Sequence, residues 1–236
     1  MPQLLVLIHT VPPLVGEFTE LCQEVLPGVR LLHVLDEPLL ERIRQHGSAT
    51  PEDDERLADH VRIAEAVGAS AVLVTCSTVS FCVDAIRHRF RVPITKIDDA
   101  MAAKAVRLGT RISIVATNPT TFEASRRLIE DEAHRIGNPV HIRLRPVAGA
   151  LEARLRGDDA VHDRLVECAV RGEANEADVV VLAQASMARV LDAMAGAPVP
   201  VPVLASPRLA LAEVRRALLA GAEQAERATG MAEARL

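Results

Sequence analysis

The sequence predicts an α/β protein of two pseudo-symmetric lobes, each a parallel sheet flanked by helices, and three observations carry that expectation. Short apolar runs alternate with longer amphipathic ones, the pattern of strands joined by crossover helices. The chain also repeats itself at a nearly constant offset. With 236 residues, 49% hydrophobic and 25% charged, it can build packed cores in one large domain or two ordinary lobes.

In chain order, strands are expected at residues 3–8, 29–35, 71–75, 93–97, 111–116, 140–145, 178–183 and 201–204, with helices between them. The first, around Leu4-Leu5-Val6-Leu7-Ile8, is too short for the apolar segment of an export signal and has no basic flank. It reads instead as a buried strand. Thr50-Pro51 opens a helix over 52–67, with a capping side chain followed by proline at the first helical position. Asp36 and Asp98 each precede helical runs and read as N-caps. The stretch 45–50 is polar and contains Gly47, which fits a lid or a plain surface loop. The tail over 222–236, rich in Ala, Glu and Arg, reads as a solvated helix end.

The repeat is the most informative feature. Residues 69–78 (ASAVLVTCST) line up with 177–186 (ADVVVLAQAS), Val92-Pro93-Ile94 with Val201-Pro202-Val203, and residues 8–12 with 115–119. Three segments in one order at an offset of about 108 residues indicate two lobes of similar topology. The expected division is 1–100 and 101–210, near the helix over 98–108, with a C-terminal helix and tail over 211–236 that crosses back. Ligands of open α/β sheets bind beyond the carboxyl ends of the strands. The expected cleft between the lobes is therefore lined by His9-Thr10, Cys76-Ser77-Thr78, Thr117-Asn118 and Gln184-Ala185-Ser186.

Composition excludes several partners. The net charge is −5, and the chain has no Trp, no Tyr and four Phe, so it offers neither a basic face nor stacking platforms for nucleic acid. No stretch approaches the roughly 20 apolar residues that span a bilayer. Cys22, Cys76, Cys82 and Cys168 show neither disulfide spacing nor the short-spaced ligand pairs of structural zinc sites. The expectation is a reduced, cytoplasmic protein with no metal and no cofactor. A homo-oligomer is compatible with it.

Cys76 is expected where a strand ends and a helix begins, a place that favours the thiolate and leaves amides free for a carboxylate. The alternative is a small buried hydrophobe. Here a family likeness enters. Residues 72–78 (VLVTCST) resemble the strand and Cys-Asn-Thr motif in the first half of aspartate, glutamate and hydantoin racemases. Residues 111–121 (RISIVATNPTT) resemble their mid-chain strand and Thr-rich turn, and 179–184 the strand before their second catalytic cysteine. The resemblance implies that Cys76 is catalytic, in a cofactor-independent proton transfer at the carbon next to the carboxylate of a small amino-acid-like or hydantoin-like substrate. Their places at strand-to-helix turns make Thr10, Ser77, Thr78, Thr117, Asn118, Thr120, Thr121, Gln184 and Ser186 candidate substrate contacts, with helix caps the alternative for the hydroxyls and a turn residue for Asn118. The resemblance to the family's Thr-rich turn implies that at least one of its threonines contacts substrate.

The chain departs from that pattern at Gln184, which stands at the second cysteine position. An amide cannot exchange protons near neutral pH, so symmetrical two-thiol racemisation is not open to it. Cys168, inside a helical run, reads as core. Either another residue serves as the second acid, with His9 the leading candidate at the end of the first strand, or the reaction needs one thiol. The latter is the case in arylmalonate decarboxylase and in the nucleophilic step of maleate isomerase. A non-catalytic small-molecule binder is the remaining alternative. Lys96, ending a strand, reads as a snorkelling surface lysine or as a positive charge for an anionic substrate.

Overall fold

The computed structural model describes residues 3–117 and 119–233, the side chains of 119, 120 and 223–233 excepted. All eight expected strands form, as two four-stranded parallel sheets. The chain divides into two compact units, Met1–Lys96 with Ala210–Leu236, and Ile97–Leu209.

The first unit holds β1 (Leu4–His9), β2 (Arg30–Leu35), β3 (Ala71–Val74) and β4 (Ile94–Lys96) in the order β2-β1-β3-β4. Its helices are α1 (Pro13–Val25), α2 (Glu37–His46), α3 (Pro51–Ala66) and α4 (Ser80–Ile86). Every residue of β1 and β3 is buried, as expected of central strands covered on both faces. Strand alternation divides their side chains between the two faces. Leu4, Val6, Ile8, Val72 and Val74 join one cluster with Leu39, Leu40 and Ile43 of α2 and Leu57, Ala58 and Val61 of α3. His9 lies on the other face, where its ring meets that of Phe18 from α1 at 5.8 Å.

The second unit repeats this topology. It comprises β5 (Arg111–Ala116), β6 (His141–Pro146), β7 (Val179–Leu182) and β8 (Val203–Ala205) in the order β6-β5-β7-β8. Around them run α5 (Asp99–Leu108), α6 (Pro119–Ile136), α7 (Ala150–Leu155), α8 (Asp159–Glu173), α9 (Arg189–Met194) and the start of α10 (Ser206–Glu233). The strands feed two clusters by alternation. Ile112, Ile114, Val179 and Val181 pack with Met101 and Ile129, while Val115, Val180 and Leu182 pack with Val166, Val170 and Val190. Each such aliphatic side chain contributes roughly 1.5–3 kcal/mol when fully buried.

Local chemistry accounts for the helix boundaries. Thr50 precedes α3, and its backbone N–H donates to the Asp53 carboxylate at 2.9 Å, the backward half of a capping box. Asp36 caps α2 by accepting from the Leu39 N–H at 3.1 Å. It also accepts from both Arg56 Nε (2.6 Å) and Nη2 (2.8 Å) and approaches His60 Nε2 at 2.7 Å, which ties α2 to α3. Gly47, at φ 77°, ends α2 in the left-handed conformation that favours glycine, so the polar stretch 45–50 is a helix end and turn. Two side chains depart from expectation. Cys168 is exposed on α8 rather than in the core, and Lys96 is buried and paired with Asp84 at 2.9 Å rather than snorkelling at the surface.

Candidate active site

In the first unit Ile8 pairs with Val74. One residue further on, His9 and Thr75 face each other, with His9 Nδ1 and Thr75 Oγ1 2.9 Å apart. Thr10 and Cys76 come next along each chain, just past the paired ends of β1 and β3. Cys76 is 9% exposed and belongs to the cluster on the α2–α3 face. Its carbonyl accepts from both the N–H and the hydroxyl of Ser80 at 2.9 Å, so the chain turns helical directly after the thiol. Ser77 and Thr78 occupy that turn half-buried. Thr10 is 3% exposed and its hydroxyl makes no hydrogen bond. A buried hydroxyl without a partner is uncommon and calls for an explanation.

His9 is fully buried. Its Nε2 lies 2.9 Å from His33 Nδ1, and the two rings stack with centroids 5.2 Å apart. Burial, and then the charge of His33, push the His9 pKa down to about 4, so its imidazole is neutral at neutral pH. Burial lowers the His33 pKa as well. The expectation for His9 rested on its position at a strand end. The structure encloses that side chain with both ring nitrogens engaged, on the face of the sheet opposite the Cys76 cluster.

The remaining cysteines differ in kind. Burial raises the Cys22 pKa to about 12, and burial with the neighbouring Asp54 carries Cys82 well above the ordinary thiol range. Cys168 is exposed on α8.

In the second unit Val115 pairs with Leu182, and the same extension sets Ala116 opposite Ala183 and Thr117 opposite Gln184. The imidazole–hydroxyl pair of the first unit thus has two alanines as its counterpart. The Gln184 side-chain oxygen accepts from the Thr117 N–H at 2.7 Å and from its hydroxyl at 2.9 Å. The amide NH2 is the group this arrangement leaves for other partners. Ser186 sits half-buried in the short helical turn Ala185–Met187, and Thr121 is buried on α6. Asn118 and the side chain of Thr120 lie outside the described residues.

His33, Thr75 and Thr19 were not anticipated as neighbours of His9. The strand residues carried a signal only once β1 was known to lie between β2 and β3. Among the described residues no group of three or more His, Cys, Asp or Glu could hold a metal ion, and no helix is long and apolar enough to cross a membrane.

Two parallel four-stranded sheets in repeated order, with a thiol at the end of one central strand, define an α/β protein of duplicated topology. The Asp/Glu/Hydantoin racemase family model matches residues 13–214, and the chain belongs to that family. Among solved structures, aspartate racemase from Picrophilus torridus is similar with a TM-score of 0.70 at 14% identity, over 92% of this chain and 94% of the other. Allantoin racemase from Klebsiella pneumoniae gives 0.65 at 18%, over 93% and 89%. A mutant arylmalonate decarboxylase in a sulfate-associated form gives 0.57 at 17%, over 92% and 93%. At these identities the likeness is one of fold. No curated protein matches by sequence.

Proposed function

We propose that the chain is a cofactor-independent isomerase or racemase, in which the Cys76 thiol moves a proton at the carbon next to the carboxylate of a small amino-acid-like or hydantoin-like substrate. The observation that carries this reading is that Thr10 and Cys76 both follow the carboxyl ends of adjacent central strands, β1 and β3. The Thr10 hydroxyl is buried without a partner, so a ligand group that bonds to it relieves a desolvation penalty. Thr10, Ser77 and Thr78 are the proposed hydroxyl donors to the carboxylate, where enolate charge develops as the thiolate removes the proton. Thr117, Asn118, Thr120, Thr121, Gln184 and Ser186 are the proposed substrate contacts of the second unit, with Gln184 donating through its NH2. His9, expected as the second acid, is enclosed on the opposite face of the sheet with both ring nitrogens engaged and takes no part in this chemistry. The chemistry requires a reduced thiol, consistent with a cytoplasmic location.

A second reading, a one-thiol decarboxylase or lyase, is favoured by Gln184. Its side chain cannot exchange a proton, and Thr117 already holds its oxygen. NMR of candidate carboxylic acids in D2O with the purified protein separates the two. Deuterium entering the α-carbon with inversion supports the first reading, and loss of CO2 supports the second. If no candidate exchanges or reacts, the proposal fails and a binding protein is left.

A further inference from the structure

Four polar side chains on the α1 face of the first unit form a chain that the proposed chemistry does not use. Thr75 Oγ1 lies 2.9 Å from His9 Nδ1, His9 Nε2 lies 2.9 Å from His33 Nδ1, and His33 Nε2 lies 3.2 Å from Thr19 Oγ1. Each end also has a backbone acceptor. The Thr75 hydroxyl is 3.1 Å from the Ile8 carbonyl, and the Thr19 hydroxyl is 2.7 Å from that of Val15.

A neutral imidazole has one donor nitrogen and one acceptor, and a hydroxyl has one proton. The chain can therefore point only two ways. In one, Thr75 donates to His9, His9 Nε2–H to His33, His33 Nε2–H to Thr19, and Thr19 to Val15. In the other, every bond between these side chains is reversed, and Thr75 donates to Ile8. The first keeps the short 2.7 Å bond to Val15, so it is the arrangement the distances favour when both rings are neutral.

We propose that this chain is a proton-operated tautomer switch, in which uptake of one proton by His33 moves the His9 proton from Nε2 to Nδ1 and turns the Thr75 hydroxyl from His9 to the Ile8 carbonyl. A protonated His33 donates from both nitrogens, so His9 Nε2 must become an acceptor. His9 then carries its single proton on Nδ1 and donates to Thr75. One proton is gained and none is lost. His33 is half-buried and His9 fully buried, so the charge rests on the ring where it is less costly. Phe18 and Thr19 from α1 and Thr75 beyond β3 contact the pair, and Leu35 and Leu7 are the register partners of His9 and His33 in the strands. The charge that acts on His9 is that of His33. The chain ends at Thr75, the residue before Cys76.

The test is 15N NMR of the whole protein with labelled histidine rings, using His33→Phe and Thr75→Val for assignment. At about pH 8, above the range where either ring is charged, His9 is expected as the Nε2–H tautomer. As pH falls below 6.5 toward about 4, His33 should titrate first, and His9, still neutral, should change to Nδ1–H in the same step. In His33→Phe that step should vanish. If this variant does not fold, His33→Asn, which retains a polar group but cannot titrate, must lose the step too. A His9 tautomer that stays constant while His33 titrates overturns the proposal. So does protonation of His9 before His33, or a step that survives in His33→Phe or His33→Asn.

Discussion

His9 is neutral in the fold and would be charged in the unfolded chain at mildly acid pH. Its pKa falls from 6.5 to about 4, so between these values the unfolded chain binds the extra proton. Stability is then complete above about 6.5 and declines as pH falls toward 4, by on the order of 3 kcal/mol from this residue. Urea unfolding at several pH values across that window measures the slope, and a flat profile would contradict the neutral buried ring. At the proposed site, Cys76→Ala should leave the fold intact and lower turnover by about 10²-fold or more. Gln184→Ala should mainly raise KM, by about 1–3 kcal/mol in binding. A fall in kcat with KM unchanged would instead place the amide in the transition state. That Cys76 and Gln184 follow equivalent strands, β3 and β7, was legible because the repeat aligns them in sequence. The enclosure of His9 was not, because its partner His33 lies 24 residues away on a strand whose neighbour the sequence does not specify.

Elements are held at their ends as much as at their faces. Asp36 is the clearest instance, since one buried carboxylate caps α2 and receives two residues of α3. Its pKa is lowered by hydrogen bonds from Arg56, His60 and the Leu39 N–H, which outweigh the opposing effect of burial. Asp36→Ala should cost about 1 kcal/mol for the cap. The charge-assisted bonds add about 1 kcal/mol more, discounted because the Arg56 side chain is 42% exposed. Asp36→Asn should recover the cap alone, and the urea midpoints of the two variants separate the contributions. The capping role was visible in the sequence from Asp36 standing before a helical run. The tie to Arg56 and His60 depends on how α2 and α3 pack, which periodicity does not report. The eight strands were legible throughout, since in a parallel sheet they are short apolar runs between longer amphipathic ones. Cys168 shows the limit of that reading, because position inside a helix does not say which side faces the core.

At the scale of the molecule, the two units differ in how the chain builds them. Residues 97–209 are contiguous and carry two apolar clusters of their own. Expressed alone, this segment should give a cooperative thermal transition and native helical circular dichroism. An unfolded product would show that it depends on the rest of the chain. The first unit is discontinuous and takes in the chain from Ala210 onward. Leu211, Val214 and Leu218 are buried, and the Leu218 carbonyl accepts from Gln3 Nε2 at 2.7 Å. That stitch across 215 residues has a consequence during synthesis. At roughly 5–20 residues per second, the ribosome needs on the order of ten seconds to pass from the last strand of the first unit to the helix that completes it. Throughout that interval the nascent chain holds four finished strands with part of their apolar cover still untranslated, while the contiguous unit can close as it emerges. The half of the protein made first is therefore finished last, and it is the half that chaperones have reason to hold.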